Sequence, residues 1–302
     1  MSLQIDEATL KSVVEDVLKK LSQNGTSAPA AAAADCGCKK NSKGRDGVFQ
    51  DAGEAAEAAA YAQKELRKQG IAGRAKVIDI VKHTCAEKAE EWGNLEFNET
   101  KIGRLEHKIG KLQGIPGVPG VEWLMPRGMS GDHGITMEEN TPFGVVGGIT
   151  PVTHSIPTLS CNIISMVAAG NSVVFNAHPG GAKCAAEAVR YYNKLIKAEL
   201  GIENLVTIIE TPTLESFDAL CKSPHVDILC VTGGPGVVNA AMKSGKRSIC
   251  AGPGNPPVVI DESANLKKAA RDIIFGAAFD NNLLCIGEKQ IFVLDKVYGA
   301  FL

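Results

Sequence analysis

Apolar residues at Leu10, Val13, Val14, Val17, Leu18 and Leu21 recur at the spacing that lines one face of a helix. Lys11, Asp16, Lys19 and Lys20 fall on the other face. The pattern then dissolves into Asn24 to Pro29, five alanines at 30–34, and a lysine- and glycine-containing stretch that ends near residue 46. The composition predicts a helix within residues 1–22 and a flexible linker over 23–46. A single short amphipathic helix is marginal in water, so its apolar stripe needs a partner surface. Three occupants fit: another protein, which the long tether favours, the chain's own domain, or a membrane surface. The last is disfavoured by a polar face of mixed charge without an aromatic anchor.

From Val48 to about Leu112 the period is helical and rich in Ala, Glu and Lys, with breaks expected at Gly70 and around Gly93 to Asn98. A Gly/Pro-rich segment spans Gly114 to Gly120, and Thr136 to Pro142 reads as leading into extended structure. Beyond it, short β-branched runs alternate with helical patterns. Strands are predicted at Gly144–Ile149, Ser172–Phe175, Leu205–Ile209 and Val226–Val231, with helices at Ser160–Ala169, Ala182–Leu200 and from Ser216 to Cys221. A further strand is expected at Gln290–Leu294. This alternation predicts an α/β fold with a parallel sheet covered on both faces, whose ligands bind beyond the carboxyl ends of the strands.

Composition narrows the function classes. The 302 residues are 44% hydrophobic and 22% charged, with 32 basic against 34 acidic side chains and a formal charge of -2. That balance excludes nucleic-acid binding by bulk charge and an acidic disordered tail. No apolar run has the length of a membrane span, and no secretory leader is legible. Nine cysteines, an odd number scattered along the chain, read as reduced thiols in a cytosolic compartment. Cys36 and Cys38 are too isolated for a metal site, and no metal is expected.

The predicted strand ends collect the unusual residues. They are Thr150 to His154, Asn176 to Gly181 with His178 and Pro179 between, and Thr232 to Gly236. The last cluster either offers backbone N–H groups and a helix N-terminus to a phosphate or cofactor, or is simply a tight turn. Cys285 stands between the turn-forming Asp280, Asn281 and Asn282 and a strand-like run, a place where a thiol is exposed. Cys161, Cys184, Cys221 and Cys230 lie inside apolar segments and read as packing residues.

Segments 99–104, 150–154, 168–175, 178–179, 232–235, 251–257 and 279–288 together resemble the CoA-acylating aldehyde dehydrogenases, in particular the propionaldehyde and acetaldehyde dehydrogenases of bacterial microcompartments. The resemblance runs from about Val48 to Leu302. It implies an aldehyde dehydrogenase fold with a Rossmann-like NAD domain over 47–250 and the first part of a catalytic domain over 251–302. It implies Cys285 as the nucleophile, forming a thiohemiacetal with a short-chain aldehyde and then a thioester after hydride transfer to NAD.

The Cys285 backbone N–H is the first oxyanion donor by the same resemblance. At the position where ordinary family members carry an Asn donor, this chain has His154, which either takes that role or caps the following helix; Asn162 is the fallback donor. The Glu that activates water in hydrolytic members is replaced at Ala251, so coenzyme A is the expected acyl acceptor. The cofactor cleft is assigned to Thr150, Pro151, Asn176, His178, Pro179, Thr232, Gly233, Gly234 and Gly252. Asn176 replaces a ribose-contacting Lys, so NADP selectivity through a basic residue is not indicated. His178 is either part of this motif or a cap before Pro179, and Glu288 either assists the thiol and nicotinamide or is a surface residue.

The N-terminal helix and tether resemble encapsulation peptides, which implies docking on microcompartment shell or cargo proteins, a bacterial cytoplasmic setting within a microcompartment, and a homo-oligomer. Neither nucleic acid nor membrane is an expected partner. Two rivals stand beside this reading: a noncatalytic docking or scaffold fragment, and a hydrolytic dehydrogenase, which Ala251 disfavours. Asp295 to Leu302 reads as a strand end entering a helix, and the resemblance implies a catalytic domain that continues past it.

Overall fold

A computed structural model of the chain describes residues 44–302, so the predicted helix at 1–22, the linker up to residue 43 and the Cys36/Cys38 pair lie outside the described residues. Residues 44–46, assigned to the linker, instead form part of a tight turn in which Arg45 and Val48 exchange backbone hydrogen bonds at 3.1 Å. Val48 and Phe49, expected to be helical, form a short strand, β1, because they pair in parallel with Ile208 and Ile209 at the sheet edge.

Helix α1 (Ala52–Glu87) starts at Asp51, whose side chain accepts the Glu54 N–H, and breaks at Gly70, where φ is 63°. The second expected break is absent. Helix α2 (Ala89–Thr100) runs through Gly93 to Asn98, and the interruptions fall at Lys88 and at 101–104. Tertiary packing overrides the local signal here. Trp92 and Glu96, one turn apart, are both buried, and Gly93 abuts Ile109 of α3 (Leu105–Gln113) so closely that a Cβ would stand 2.6 Å from Ile109 Cγ1. The extended segment expected from Thr136 is the second arm of an exposed antiparallel hairpin, β2 (Arg127–Gly131) and β3 (Gly134–Glu138).

The remaining elements alternate as predicted. They are β4 (Val145–Thr150), α4 (Ser155–Ala168), β5 (Ser172–Ala177), α5 (Ala182–Leu200), β6 (Val206–Ile209), α6 (Leu214–Lys222) and β7 (Ile228–Thr232). Then follow α7 (Pro235–Lys243), β8 (Ser248–Ala251), β9 (Pro257–Ile260), α8 (Leu266–Ala278), β10 (Gln290–Val293) and α9 (Asp295–Phe301). The main sheet has the order β1-β6-β5-β4-β7-β8, with every pairing parallel. β9 and β10 pair with each other outside it.

Alternation along the strands builds two cores. On β5, Val173 and Phe175 face one, with Leu66, Trp92, Ile163 and Tyr192, while Val174 between them faces the other, with Ala55, Ala59, Phe217 and Leu229. The chain adds β5 and β6 on one side of β4 and β7 and β8 on the other. The loops leaving β4 and β7 therefore diverge, opening a crevice at the carboxyl edge.

Candidate active site

A cavity of about 600 Å³ occupies that crevice. Its walls come from the ends of five consecutive sheet strands: 149–153 after β4, 176–179 after β5, 212–214 after β6, 232–234 after β7 and 252–254 after β8. Leu283, Leu284, Cys285 and Lys289 close it from the segment between α8 and β10. Cys285 and all the residues expected to hold the cofactor (Thr150, Pro151, Asn176, His178, Pro179, Thr232, Gly233, Gly234 and Gly252) line this one space.

The local reasons differ along the wall. The His178 N–H donates to Thr150 O at 3.0 Å, which zips the ends of β4 and β5 together, while its ring Nδ1 accepts the Gly180 N–H at 3.0 Å. The His178 side chain is thus engaged as a local cap while still facing the cavity. Asn176 is also committed: its Oδ1 accepts from Ser216 Oγ at 2.7 Å, beside the reciprocal Thr213–Ser216 cap that starts α6. Thr150 lines the cavity, and its Oγ1 is buried with no protein partner. The Gly233 N–H donates to Ala251 O, fixing the β7 and β8 ends, and Pro235 opens α7.

Cys285 is exposed, whereas the other described cysteines are buried or half-buried. Burial pushes the Cys161 thiol up to about 11 and raises Cys85, Cys184, Cys221 and Cys230 as well. These thiols stay protonated; Cys161, Cys184, Cys221 and Cys230 are the four whose apolar segments predicted packing. The Cys285 loop is braced from below by Lys289, whose ammonium donates to Leu284 O at 3.1 Å and to both Asn282 O and Oδ1. Gly254 meets it from the other side: a Cβ there would stand 1.9 Å from Cys285 O. Among the described residues lining the cavity there is no Asp or Glu.

His154 and Asn162 are not among the lining residues. His154 occupies the N-cap position of α4 but makes no capping hydrogen bond; the Ile156 N–H is taken by Glu96 Oε2 at 3.1 Å. The His154 Nδ1 and the Asn162 Nδ2 are both buried without a partner. Burial, reinforced by the Lys111 and Lys108 charges, holds the imidazole well below its ordinary value and therefore neutral at pH 7. Glu288 is not among the lining residues; its carboxylate rests against Gly276 of α8, where a Cβ would meet Oε2 at 2.0 Å.

Sequence reasoning missed the supports beneath the loops. Lys289 and the buried Glu96 and Lys108 follow no sequence motif, and the partners of Gly254, Lys111 and Asp280 lie far along the chain. The turn-forming character of Asp280 to Asn282 was the one available pointer.

Comparison with known proteins agrees with this geometry. The chain is 38% identical over 300 residues to an acetylating acetaldehyde dehydrogenase of Bilophila wadsworthia, covering 98% of this chain and 60% of that protein. It superposes with a TM-score of 0.78 and 41% identity on a propionaldehyde dehydrogenase of Rhodopseudomonas palustris with bound propionyl-CoA, covering 86% of this chain and 58% of that one. A propionaldehyde dehydrogenase from the fucose utilisation bacterial microcompartment of Clostridium phytofermentans gives a TM-score of 0.77 at 42% identity, covering 84% and 59%. The chain spans about 60% or less of the length of these relatives. The aldehyde dehydrogenase family profile matches residues 40–302, so that the fold, the strand-end cavity and the exposed thiol on its wall place the chain in the aldehyde dehydrogenase family.

Proposed function

We propose that the protein carries out CoA-acylating oxidation of a short-chain aldehyde with NAD as hydride acceptor. The observation that carries this reading is the single cavity shared by the exposed Cys285 and the ends of five parallel strands. The Cys285 thiolate adds to the aldehyde carbonyl and gives a thiohemiacetal; loss of hydride converts that adduct to a thioester on the same sulfur. The coenzyme A thiol then attacks the acyl carbon, releasing acyl-CoA and restoring the Cys285 thiol. The strand-end loops with Thr150, Thr232, Gly233 and Gly252 would hold the nicotinamide cofactor, which supplies hydride acceptance when bound. Their fit is supported by the unpartnered Thr150 Oγ1 and by the open space beside Gly234 and Gly252, where a Cβ would meet nothing within 4 Å.

Acyl transfer to a thiol rather than to water is supported by Ala251 at the position of the hydrolytic Glu and by the absence of carboxylates among the described lining residues. The Cys285 backbone N–H is the oxyanion donor in this reading; His154 and Asn162, expected as the second donor, lie off the cavity wall with their nitrogens buried and are not assigned that role. Aldehydes of two to four carbons, assayed with NAD and with or without coenzyme A, test it. Acyl-CoA and NADH should form together, whereas equal NADH formation and free acid without coenzyme A would overturn the proposal.

The scaffold-fragment alternative predicts no NADH under any of these conditions. The microcompartment setting rests on the resemblance of residues 1–22 to docking peptides and on relatives such as the Clostridium phytofermentans enzyme. Deleting residues 1–25 should abolish co-assembly with shell or cargo proteins while leaving turnover intact. A homo-oligomer belongs to the same reading, and light scattering tests it; Met129, Ile135 and Met137 on the β2–β3 hairpin are exposed. Among the described residues no helix is long and apolar enough to cross a membrane.

A further inference from the structure

Three consecutive residues ahead of the Cys285 loop, Asp280, Asn281 and Asn282, hold left-handed φ angles of 49°, 58° and 60°. A run of this kind persists only where its surroundings over-determine it. The restraint comes from the α2–α3 region. Buried Asp280 accepts the Arg104 N–H at 2.8 Å through Oδ1 and the Lys111 ammonium at 2.7 Å through Oδ2, and its own N–H donates to His107 Nδ1 at 2.8 Å. Arg104 Nε donates to Asn281 Oδ1 at 2.8 Å.

Lys111 has a second acceptor on the opposite wall. Its Nζ donates to Thr153 O at 3.1 Å, and Lys108 donates to the same oxygen at 3.0 Å and to Glu96 Oε1 at 3.0 Å. Thr153 belongs to the loop after β4 and lines the cavity, as Cys285 does. Two lysines against two carboxylates leave the cluster electrically balanced, which is the condition for burying it.

We propose that Lys111 and Asp280 form a buried clamp holding the Cys285 loop at a set separation from the loop after β4. They are positioning residues, acting through Cys285 and Thr153 rather than on substrate. The consequence for turnover rests on the proposed dehydrogenase reading. A displacement of about 1 Å at a reacting pair costs on the order of 100-fold in rate. Loosening the clamp should therefore lower kcat while leaving cofactor affinity nearly unchanged, because Thr150 stays tied to the end of β5 through the His178 N–H and the remaining cofactor residues lie on other strand ends.

The test uses the full chain with Lys111→Met, Asp280→Asn, their double variant, and Asn281→Gly. The glycine tolerates the left-handed φ and removes only exposed contacts, the Arg104 Nε bond and the bond Asn281 Nδ2 donates to Gly103 O, so it remains informative where a buried-charge variant fails to fold. Hydrogen exchange of peptides covering 279–289 should quicken at least about 10-fold in the single buried variants and about 3-fold in Asn281→Gly, with β5 peptides unchanged. The kcat for NADH formation should fall at least about 10-fold in the former, with KM for NAD within about 2-fold, and the double variant should be no worse than the poorer single. Unchanged exchange at 279–289, or quickened exchange with unchanged kcat, would overturn the proposal. If the unaltered chain forms no NADH, the dehydrogenase reading fails, and exchange alone still decides whether the clamp exists.

Discussion

The Cα of Gly254 and the carbonyl of Cys285 share a contact too close for any side chain, with a Cβ on Gly254 reaching 1.9 Å from that oxygen. The atom it would meet is backbone, so the loop itself would have to move. Gly254→Ala should destabilise by about 1–3 kcal/mol, the usual cost of overpacking, and should displace the thiol. Urea denaturation and aldehyde-dependent NADH formation check the two effects together. Unaltered values for both would show that the loop shifts freely.

Exposure separates Cys285 from the remaining described thiols. With the Cys161 thiol pushed up to about 11, roughly one molecule in a thousand carries that thiolate at pH 8. Brief treatment with iodoacetamide should label Cys285 ahead of Cys85, Cys161, Cys184, Cys221 and Cys230, as read by peptide mass. Labelling and Cys285→Ala should each abolish aldehyde-dependent NADH formation.

Glu96 and Lys108 are each only 1% exposed and form an ion pair at 3.0 Å. Removing Glu96 leaves two buried lysines against the one carboxylate of Asp280. Glu96→Ala should cost about 3–5 kcal/mol, and it also withdraws the acceptor of the Ile156 N–H at the start of α4. Glu96→Gln keeps the shape and an acceptor oxygen and should cost less. Denaturation midpoints of the two variants compare them directly.

His154 makes stability depend on pH. In the unfolded chain its imidazole titrates near 6.5, while in the folded protein burial and the Lys111 and Lys108 charges hold it well below that value. The unfolded state therefore binds more protons as pH falls below about 6.5. This group's contribution is present at pH 7 and above and is lost on acidification, with a slope of at most about 1.4 kcal/mol per pH unit. His154→Asn should flatten the stability profile between pH 7 and 5. A profile as steep as that of the unaltered chain would show that another group is responsible.

Hydrophobic periodicity was enough to read the parallel sheet, because a strand buried on both faces reads as a mostly apolar run, and β4, β5 and β6, buried throughout, do. It misplaced the break in α2, where Trp92, Glu96 and the Gly93–Ile109 contact hold the helix through a weak local pattern. It also placed Val48 in a helix, because the partner that makes it a strand, Ile208, lies far along the chain.

By itself, the sequence determined the α/β class and the strand ends that line the cavity, since each is written in a local run of residue types, while the choice of Cys285 rested on the resemblance of the segments around it to a family. Only the tertiary structure decided that Lys111 faces Asp280 across 169 positions and that Gly254 meets Cys285. It also left His154 and Asn162 off the cavity wall and turned Glu288 toward α8. These relations depend on distances between segments remote in the chain, which the folding of both cores sets and no local pattern encodes.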